Sequence, residues 1–282
     1  MIPFAIEYLQ AESIDEAAGA WREASRAGKT VRYFGGGTEL VTGARNHVEF
    51  DVLIDLKRIP ELAALDLREG SVGAAVRLSE LADQREIPLL ASTARGVADR
   101  TVRNSITLGG NLCSALPYRE TLLPLLLFDA QLELAGPDGR RHVAVREICG
   151  RRLELRDGEF IVRARLPDAS RVEGFYRRRT RDARVDYPLV TLCMVRIGGK
   201  IRFAVGGAFG YPVRSDAAEA ALAEVAGVAR SAAPGRAATA VVSAAAKAIP
   251  HRLWHDMRGS TEYRRALLER ALTDGLLHLE DT

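Results

Sequence analysis

Cysteine is too sparse and too dispersed in this 282-residue chain to build a metal centre. Its three thiols, Cys113, Cys149 and Cys193, show neither a C-x-x-C pair nor Cys/His spacing, which argues against zinc or an iron–sulfur cluster held by this chain. So few thiols fit a reducing, cytoplasmic compartment. His47, His142, His251, His255 and His278 are scattered, with no metal or triad spacing, and no Ser/His/Asp constellation emerges. No apolar run reaches the roughly eighteen residues a membrane span requires. The opening MIPFAIEYLQAES lacks a basic flank before a long apolar core, so no signal peptide is expected. Charge of one sign is missing too: 40 basic against 37 acidic residues leave a net +3, which favours neither nucleic acid nor membrane. There is no internal repeat.

What is present is glycine in two informative places. Thr101 to Ala130 opens with a β-branched segment, passes into Thr107-Leu108-Gly109-Gly110-Asn111, and continues through Cys113, Ser114 and Pro117 to an apolar block, Leu122 to Phe128. An earlier run has the same character: Arg32-Tyr33-Phe34, then Gly35-Gly36-Gly37, then Thr38-Glu39-Leu40. Adjacent glycines reach positive φ and expose their N–H groups, because no Cβ stands in the way. Successive exposed N–H groups make a concave anion site of the kind that holds phosphates. Two such loops could grip the two phosphates of one dinucleotide from either side. The first run lacks G-x-G-x-x-G spacing and turns quickly back to a strand, which disfavours a Rossmann unit.

Taken in order, Phe4–Leu9 reads as a strand, Ile14–Ala27 as a helix capped by Ser13 with Glu16 and stopped by Gly28, and Thr30–Phe34 and Val52–Leu56 as strands. A second lobe begins near Ile59, with a meander over residues 62–75, short helices from Leu78 and Pro88, and strands at Gln131–Ala135 and Glu159–Leu166. Pro167-Asp168-Ala169-Ser170 is the expected boundary, giving domains 1–168 (lobes about 1–56 and 57–168) and 169–282. The second domain opens on Arg177-Arg178-Arg179, either a solvated basic face or a seat for an anionic cofactor or partner. A hairpin Leu189–Ile197/Lys200–Gly206 through Gly198-Gly199 follows, then helices at 215–226, 239–248 and 262–272. The fold class is α+β.

The residues that carry most weight are GGGTEL (35–40), LIDLKRIPEL (53–62) with VGAAVRLSEL (72–81), TVRNSITLGGNLCSALP (101–117), PLLLFDAQLEL (124–134), Asp186-Tyr187-Pro188 and GSTEYRRALL (259–268). With these in place the chain resembles the FAD-binding medium subunit of the molybdenum hydroxylases, the xanthine, carbon monoxide and nicotinate dehydrogenase relatives, over nearly its whole length. The resemblance implies a two-lobed FAD-binding domain of the vanillyl-alcohol-oxidase (PCMH) type, followed by a small α+β domain with a three-stranded sheet and helices. It implies noncovalent FAD, with molybdopterin and [2Fe–2S] clusters on a molybdenum large subunit and an iron–sulfur small subunit. Electrons from the clusters would pass through the flavin to NAD or another acceptor.

Residue by residue, the resemblance puts Arg32 to Leu40 around the adenosine diphosphate, with the N–H groups of Gly35 to Thr38 on phosphate, and Thr107 to Asn111 on the pyrophosphate and flavin side. Glu120 stands where the family commonly has Asp, and Arg177 or Arg178 where it often has a flavin-contacting Lys. Arg keeps that charge but is a planar fork that does not deprotonate. Ile161 matches an apolar flavin contact, and Tyr187 a residue against the isoalloxazine ring, where an aromatic could stack. Read without the family, Tyr187 is equally a core aromatic, Glu39 a carboxylate favouring a helix N-terminus, Asn111 a turn residue, and Cys113 a small packing residue. No acid–base set emerges, so the chemistry belongs to the cofactor and the protein supplies binding and electrostatics. The alternatives are a stand-alone flavoprotein oxidoreductase of this fold, or an assembly subunit that has lost FAD.

Overall fold

In the computed structural model the described residues are 2–167, 169, 172–182, 185–229 and 236–281, with side chains 224–229, 236–239 and 281 outside the description. Three sheets organise the chain. The first 55 residues run β1 (Glu7–Gln10), α1 (Ile14–Arg26), β2 (Val31–Phe34), α2 (Thr38–Arg45) and β3 (Val52–Asp55). The strands pair in parallel in the order β1-β3-β2. Parallel neighbours need crossovers, which α1 and α2 supply. Ser13 caps α1 by accepting the Glu16 N–H at 3.1 Å, and Gly28 follows the helix at φ +75°.

The next stretch runs α3 (Pro60–Ala63), β4 (Leu65–Asp66), β5 (Ser71–Gly73), α4 (Leu78–Asp83), α5 (Pro88–Gly96), α6 (Arg100–Arg103), α7 (Leu108–Leu112), α8 (Leu122–Leu127), β6 (Gln131–Gly136), β7 (Gly139–Ala144), α9 (Val145–Ile148) and β8 (Phe160–Arg165). Its five strands form an antiparallel sheet in the order β4-β5-β8-β6-β7. The β-branched start of the second glycine run is a helical turn, α6, since the Asp99 carboxylate accepts the Val102 N–H at 2.8 Å and nucleates it. Of the expected boundary, Asp168 and Ser170 lie outside the described residues.

Beyond it come β9 (Gly174–Thr180), β10 (Pro188–Ile197), β11 (Lys200–Gly206), β12 (Val213–Arg214), α10 (Asp216–Ala229), α11 (Arg236–Ala248) and α12 (Thr261–Asp281). The sheet order is β12-β11-β10-β9. This corrects the expected three strands to four, because the two-residue β12 adds an edge at Ala204 and Val205. The last helix also runs nine residues past its expected end at Leu272, to Asp281. One face of this sheet carries its own apolar core with the helices. Cys193, Val195 and Ala204, on the other face, join the core of the first 169 residues.

That seam is bolted by Asp129, which sits at φ +49° and receives Arg202 at 2.8 Å and Arg214 at 2.6 Å. The same two guanidiniums donate to the Leu127 and Leu126 carbonyls at the end of α8. The α8 segment is therefore fixed against β11 and β12, and with it the residues just before it.

Candidate functional site

The two glycine runs meet, and glycine is needed because they meet. A Cβ on Gly36 would lie 1.9 Å from the Ser105 carbonyl oxygen, and one on Gly35 would lie 2.7 Å from Thr107 Oγ1. On the far side, a Cβ on Gly109 would stand 2.9 Å from the Ala74 Cβ. Only Gly37 of the five takes positive φ, +72°, as N-cap of α2. A Cβ there would strike the Phe34 ring at 2.1 Å. No side chain caps α2, so its first-turn N–H groups are left for something else to satisfy.

The second loop differs from the expectation of bare amides. Gly109 and Gly110 lie inside α7, not at positive φ. The Leu108 N–H donates to the Val76 carbonyl, the Gly109 N–H to that of Ala74, the Gly110 N–H to Thr107 Oγ1 and the Asn111 N–H to the Thr107 carbonyl. What this loop contributes is clearance, the Thr107 hydroxyl and the two glycine surfaces. The anion-facing amides belong to the first loop.

Between the loops lies a cleft of ≈ 240 Å³. Tyr33, Gly35, Thr107, Gly109, Gly110 and Ile161 line it, bringing together six of the residues expected at a site. Burial pushes the Tyr33 phenol far up; its hydroxyl donates to the Gly158 carbonyl at 2.9 Å while its ring packs 4.8 Å from Phe160. A second, more polar cleft shares Tyr33 and Glu159 with the first and holds Arg32, which is exposed, beside Trp21 and Lys29. Phe34 and Leu40 instead pack on the small core of Ala44, Phe50 and Leu53, and Leu108 is fully buried. They support the loops from behind.

Glu39 turns out to be a latch. Its carboxylate accepts the Ser114 hydroxyl and the Ala115 N–H, the latter at 3.0 Å, tying α2 to the chain just after α7. Replacing it with alanine is expected to loosen the pair of loops and to weaken binding of the FAD that the resemblance implies by about 5- to 20-fold, as for a lost charge-assisted hydrogen bond. A flavin-fluorescence titration measures this; unchanged affinity would deny Glu39 the latch role.

The other expected residues gather at the seam. Asn111 Oδ1 accepts both the Thr121 hydroxyl at 2.5 Å and the Thr121 N–H at 3.3 Å, anchoring Glu120 beside it. Glu120 is 5% exposed, and burial raises its carboxyl pKa, with Arg178, 3.8 Å away, opposing. Strand alternation decides between the two arginines. Tyr176 and Arg178 share the face toward Glu120, whereas Arg177 points to the opposite face, over the Phe175 ring and 3.7 Å from Asp274. Arg177 is thereby corrected out of the site. Tyr187 is 49% exposed, not a core aromatic. It stacks on Tyr118 at 4.7 Å, and Arg258 clips it through the Tyr187 carbonyl and Asp186. The Arg258 guanidinium pulls the Asp186 carboxyl down to about 2.

Sequence reasoning passed over Leu56, Leu62, Ala74, Ala75, Leu155, Glu159 and Phe160, which complete the cleft wall. Ala74-Ala75 had a usable signal: a small pair just after a strand permits the approach that Gly109 makes. Cys113, read as a small packing residue, borders the cleft, and burial pushes its thiol up to about 12.

Comparison with known proteins places these residues. Residues 4–169 match the family model described as the FAD binding domain in molybdopterin dehydrogenase. The chain is 30% identical over 123 residues to the xanthine dehydrogenase FAD-binding subunit of Escherichia coli O157:H7, covering 41% of this chain and 42% of that protein. It is 32% identical over 151 residues to the carbon monoxide dehydrogenase medium chain of Hydrogenophaga pseudoflava, covering 51% of each. These matches span about half of the length of either relative, 42% and 51%. Among solved structures, a chain of carbon monoxide dehydrogenase from H. pseudoflava, in a form lacking the Mo-pyranopterin moiety, superposes with TM-score 0.80 at 27% identity, covering 98% of each chain.

Proposed function

This chain belongs to the family of FAD-binding domains of molybdopterin dehydrogenases, and from that premise we propose that it is the FAD-binding, electron-transferring subunit of a molybdenum hydroxylase complex. One observation carries the reading: a cleft walled by glycine from two loops, with the uncapped start of α2 at Gly37 two residues on from Gly35 in its wall. A Cβ on Gly35 or Gly36 would strike the facing loop and one on Gly109 would strike Ala74, and the uncapped amides of a helix N-terminus are suited to a diphosphate. The residues present fit the cofactor.

In this reading the N–H groups of Gly35 to Thr38 hold the diphosphate, with Thr107, Gly109 and Gly110 on the facing wall. Tyr33, Phe160 and Ile161 exclude water along the apolar side. Asn111, Glu120, Arg178 and Tyr187 serve the flavin end, at the seam between domains 1–168 and 169–282. Glu120 holds a proton at its carboxyl oxygen more tightly than an exposed acid, and Arg178 keeps a fixed positive charge beside it. FAD, when bound, supplies a two-electron store that can be filled and emptied one electron at a time. The donor is an iron–sulfur small subunit, itself fed by a molybdenum large subunit, and the acceptor is NAD or another oxidant.

Purification from the native host tests this directly. Protein absorbing near 450 nm (about the usual flavin band), with iron–sulfur and molybdenum polypeptides in the same complex, is the expected result. A flavin-loaded chain that purifies alone and turns over its own substrate would favour a self-sufficient flavoprotein. A chain that takes up no FAD would end the reading.

A further inference from the structure

The guanidinium of Arg258 is committed to a half-exposed tyrosine. One nitrogen, Nη2, donates both to an Asp186 carboxylate oxygen and to the Tyr187 carbonyl, the latter at 2.7 Å. The guanidinium also stands 5.6 Å over the Tyr187 ring. The same Asp186 oxygen accepts the Tyr187 N–H at 2.8 Å, so the residue is held on both sides of its Cα.

Arg258 is itself framed. Asp256 Oδ1 accepts the Arg258 N–H at 2.9 Å, the Gly259 N–H at 3.1 Å and Arg264 Nη2 at 2.8 Å. Arg264, 1% exposed, donates through Nη1 to the Leu189 carbonyl at 2.9 Å and the Gly207 carbonyl at 2.8 Å. Residues 256–264 therefore grip the entry to β10 twice, at Tyr187 through Arg258 and at Leu189 through Arg264. The grip at Leu189 is buried and serves the packing of the sheet. The grip at Tyr187 ends on a surface ring, which lies within 15° of parallel to Tyr118. Fixing a side chain costs conformational entropy, and a tyrosine that met only solvent would gain nothing from it.

The path from the cleft to this ring is short. Gly110 lines the cleft, and Asn111 beside it accepts the Thr121 hydroxyl. Glu120, next to Thr121, lies 3.8 Å from Arg178, whose Nη2 donates to the Asp186 carbonyl. Cys113 also lines the cleft, and Glu39 holds Ser114 and Ala115, which lead on to Tyr118. The Tyr118–Tyr187 pair thus stands where the chain leaves the cleft wall for the seam.

We propose that Arg258 is a positioning residue for Tyr187, fixing the ring in the orientation that the flavin end of FAD meets. The inference rests on the FAD reading above, in which Tyr187 serves that end. A ring ordered in advance spares the ligand the cost of ordering it. An electron-rich ring against an isoalloxazine also quenches its fluorescence. Loss of the clip therefore changes affinity and emission together, whereas a merely structural loss leaves the emission of bound flavin unchanged.

The test titrates FAD into the unaltered protein, Arg258→Met, Tyr187→Leu and the double variant, following affinity and the emission of the bound flavin. Tyr187→Leu is expected to raise that emission by about 3-fold or more, through loss of the stacked ring. Arg258→Met is expected to raise it about 2-fold and to weaken binding by about 2- to 10-fold. In the Tyr187→Leu background Arg258→Met should change neither by more than about 1.5-fold, because a residue acting through another adds nothing once that other is gone. Effects of Arg258→Met that persist in full without the tyrosine, or an Arg258→Met protein with unaltered affinity and emission, would overturn the proposal. So would a Tyr187→Leu protein whose bound flavin emits no more strongly than before, since the ring would then not meet the flavin. Should Arg258→Met not fold, Arg258→Gln is read in the same way. Failure of the unaltered protein to bind FAD would instead defeat the flavoprotein reading itself.

Discussion

Gly36→Ala is expected to abolish practical FAD binding, with affinity falling by at least about 100-fold, the scale on which a displacement of an ångström acts. The methyl group would stand 1.9 Å from the Ser105 carbonyl oxygen, 2.8 Å from its carbon and 3.1 Å from the Ile106 Cα. All three are backbone atoms, so no side chain can rotate aside, and the two loops must part. Gly35→Ala should be milder, since the added methyl meets Thr107 Oγ1, a side-chain atom, at 2.7 Å. Gly43→Ala, in the same helix as the first loop, is the control. Its nearest neighbour would be the Val48 Cβ at 3.6 Å, an ordinary contact, so it should bind FAD normally. Neither Gly36 nor Gly43 belongs to an apolar cluster, and the variants should still fold. Flavin content on purification and direct titration measure the outcome. A yellow Gly36→Ala protein with unaltered affinity would mean that the loops do not need this approach.

The contrast between Gly36 and Gly109 shows what could and could not be read from the chain. Both glycine runs were visible as loops, and their pairing was visible through the family's separation of motifs. Their purpose was legible only in part. Composition suggests positive φ wherever glycine clusters, yet of the five only Gly37 takes it; Gly35, Gly36 and Gly109 are demanded by neighbours distant in sequence, which no local pattern encodes. The hairpin of β10 and β11 was plain, because Gly198 and Gly199, at φ +55° and +76°, separate two apolar strands. Strand β9 was hidden. Its Arg177-Arg178-Arg179 run shows no apolar alternation, because each face of the strand meets a carboxylate, Glu120 on one side and Asp274 on the other. A basic patch in the sequence is thus a half-buried strand with two acidic neighbours in the fold. Likewise Thr101 and Val102 favour a strand by propensity, and the Asp99 cap overrides them with a helical turn.

Glu120→Gln is expected to stabilise the protein, and increasingly so as pH rises. The wild-type carboxyl is buried, its pKa raised above the unfolded value chiefly by loss of solvation. The folded state therefore binds this proton more tightly than the unfolded chain does. The stability it confers is complete below the unfolded pKa and is lost as pH climbs through the raised folded one. An amide is neutral throughout and escapes that loss. At pH 4 the two proteins should unfold at about the same temperature, and by pH 8 the variant should lead by roughly 1–4 kcal/mol, the gain seen when poorly compensated buried charges are neutralised. The carboxyl's bond to its own backbone N–H and the charge of Arg178 both oppose the effect. Arg178 approaches Glu120 only to 3.8 Å, its Nε is buried without a hydrogen bond among the described residues, and its Nη2 donates to the Asp186 carbonyl. Of the other groups facing the carboxyl, Tyr176 Oη is likewise unpartnered, and the Cys193 thiol is itself pushed well up by burial. None of these compensates a carboxylate as a bidentate arginine would. Denaturant unfolding of both proteins from pH 4 to 8 tests the balance. A stability difference that stays flat or reverses with pH would mean that Arg178 outweighs burial, and that Glu120 stands ionised at the seam where the flavin end of the site is formed.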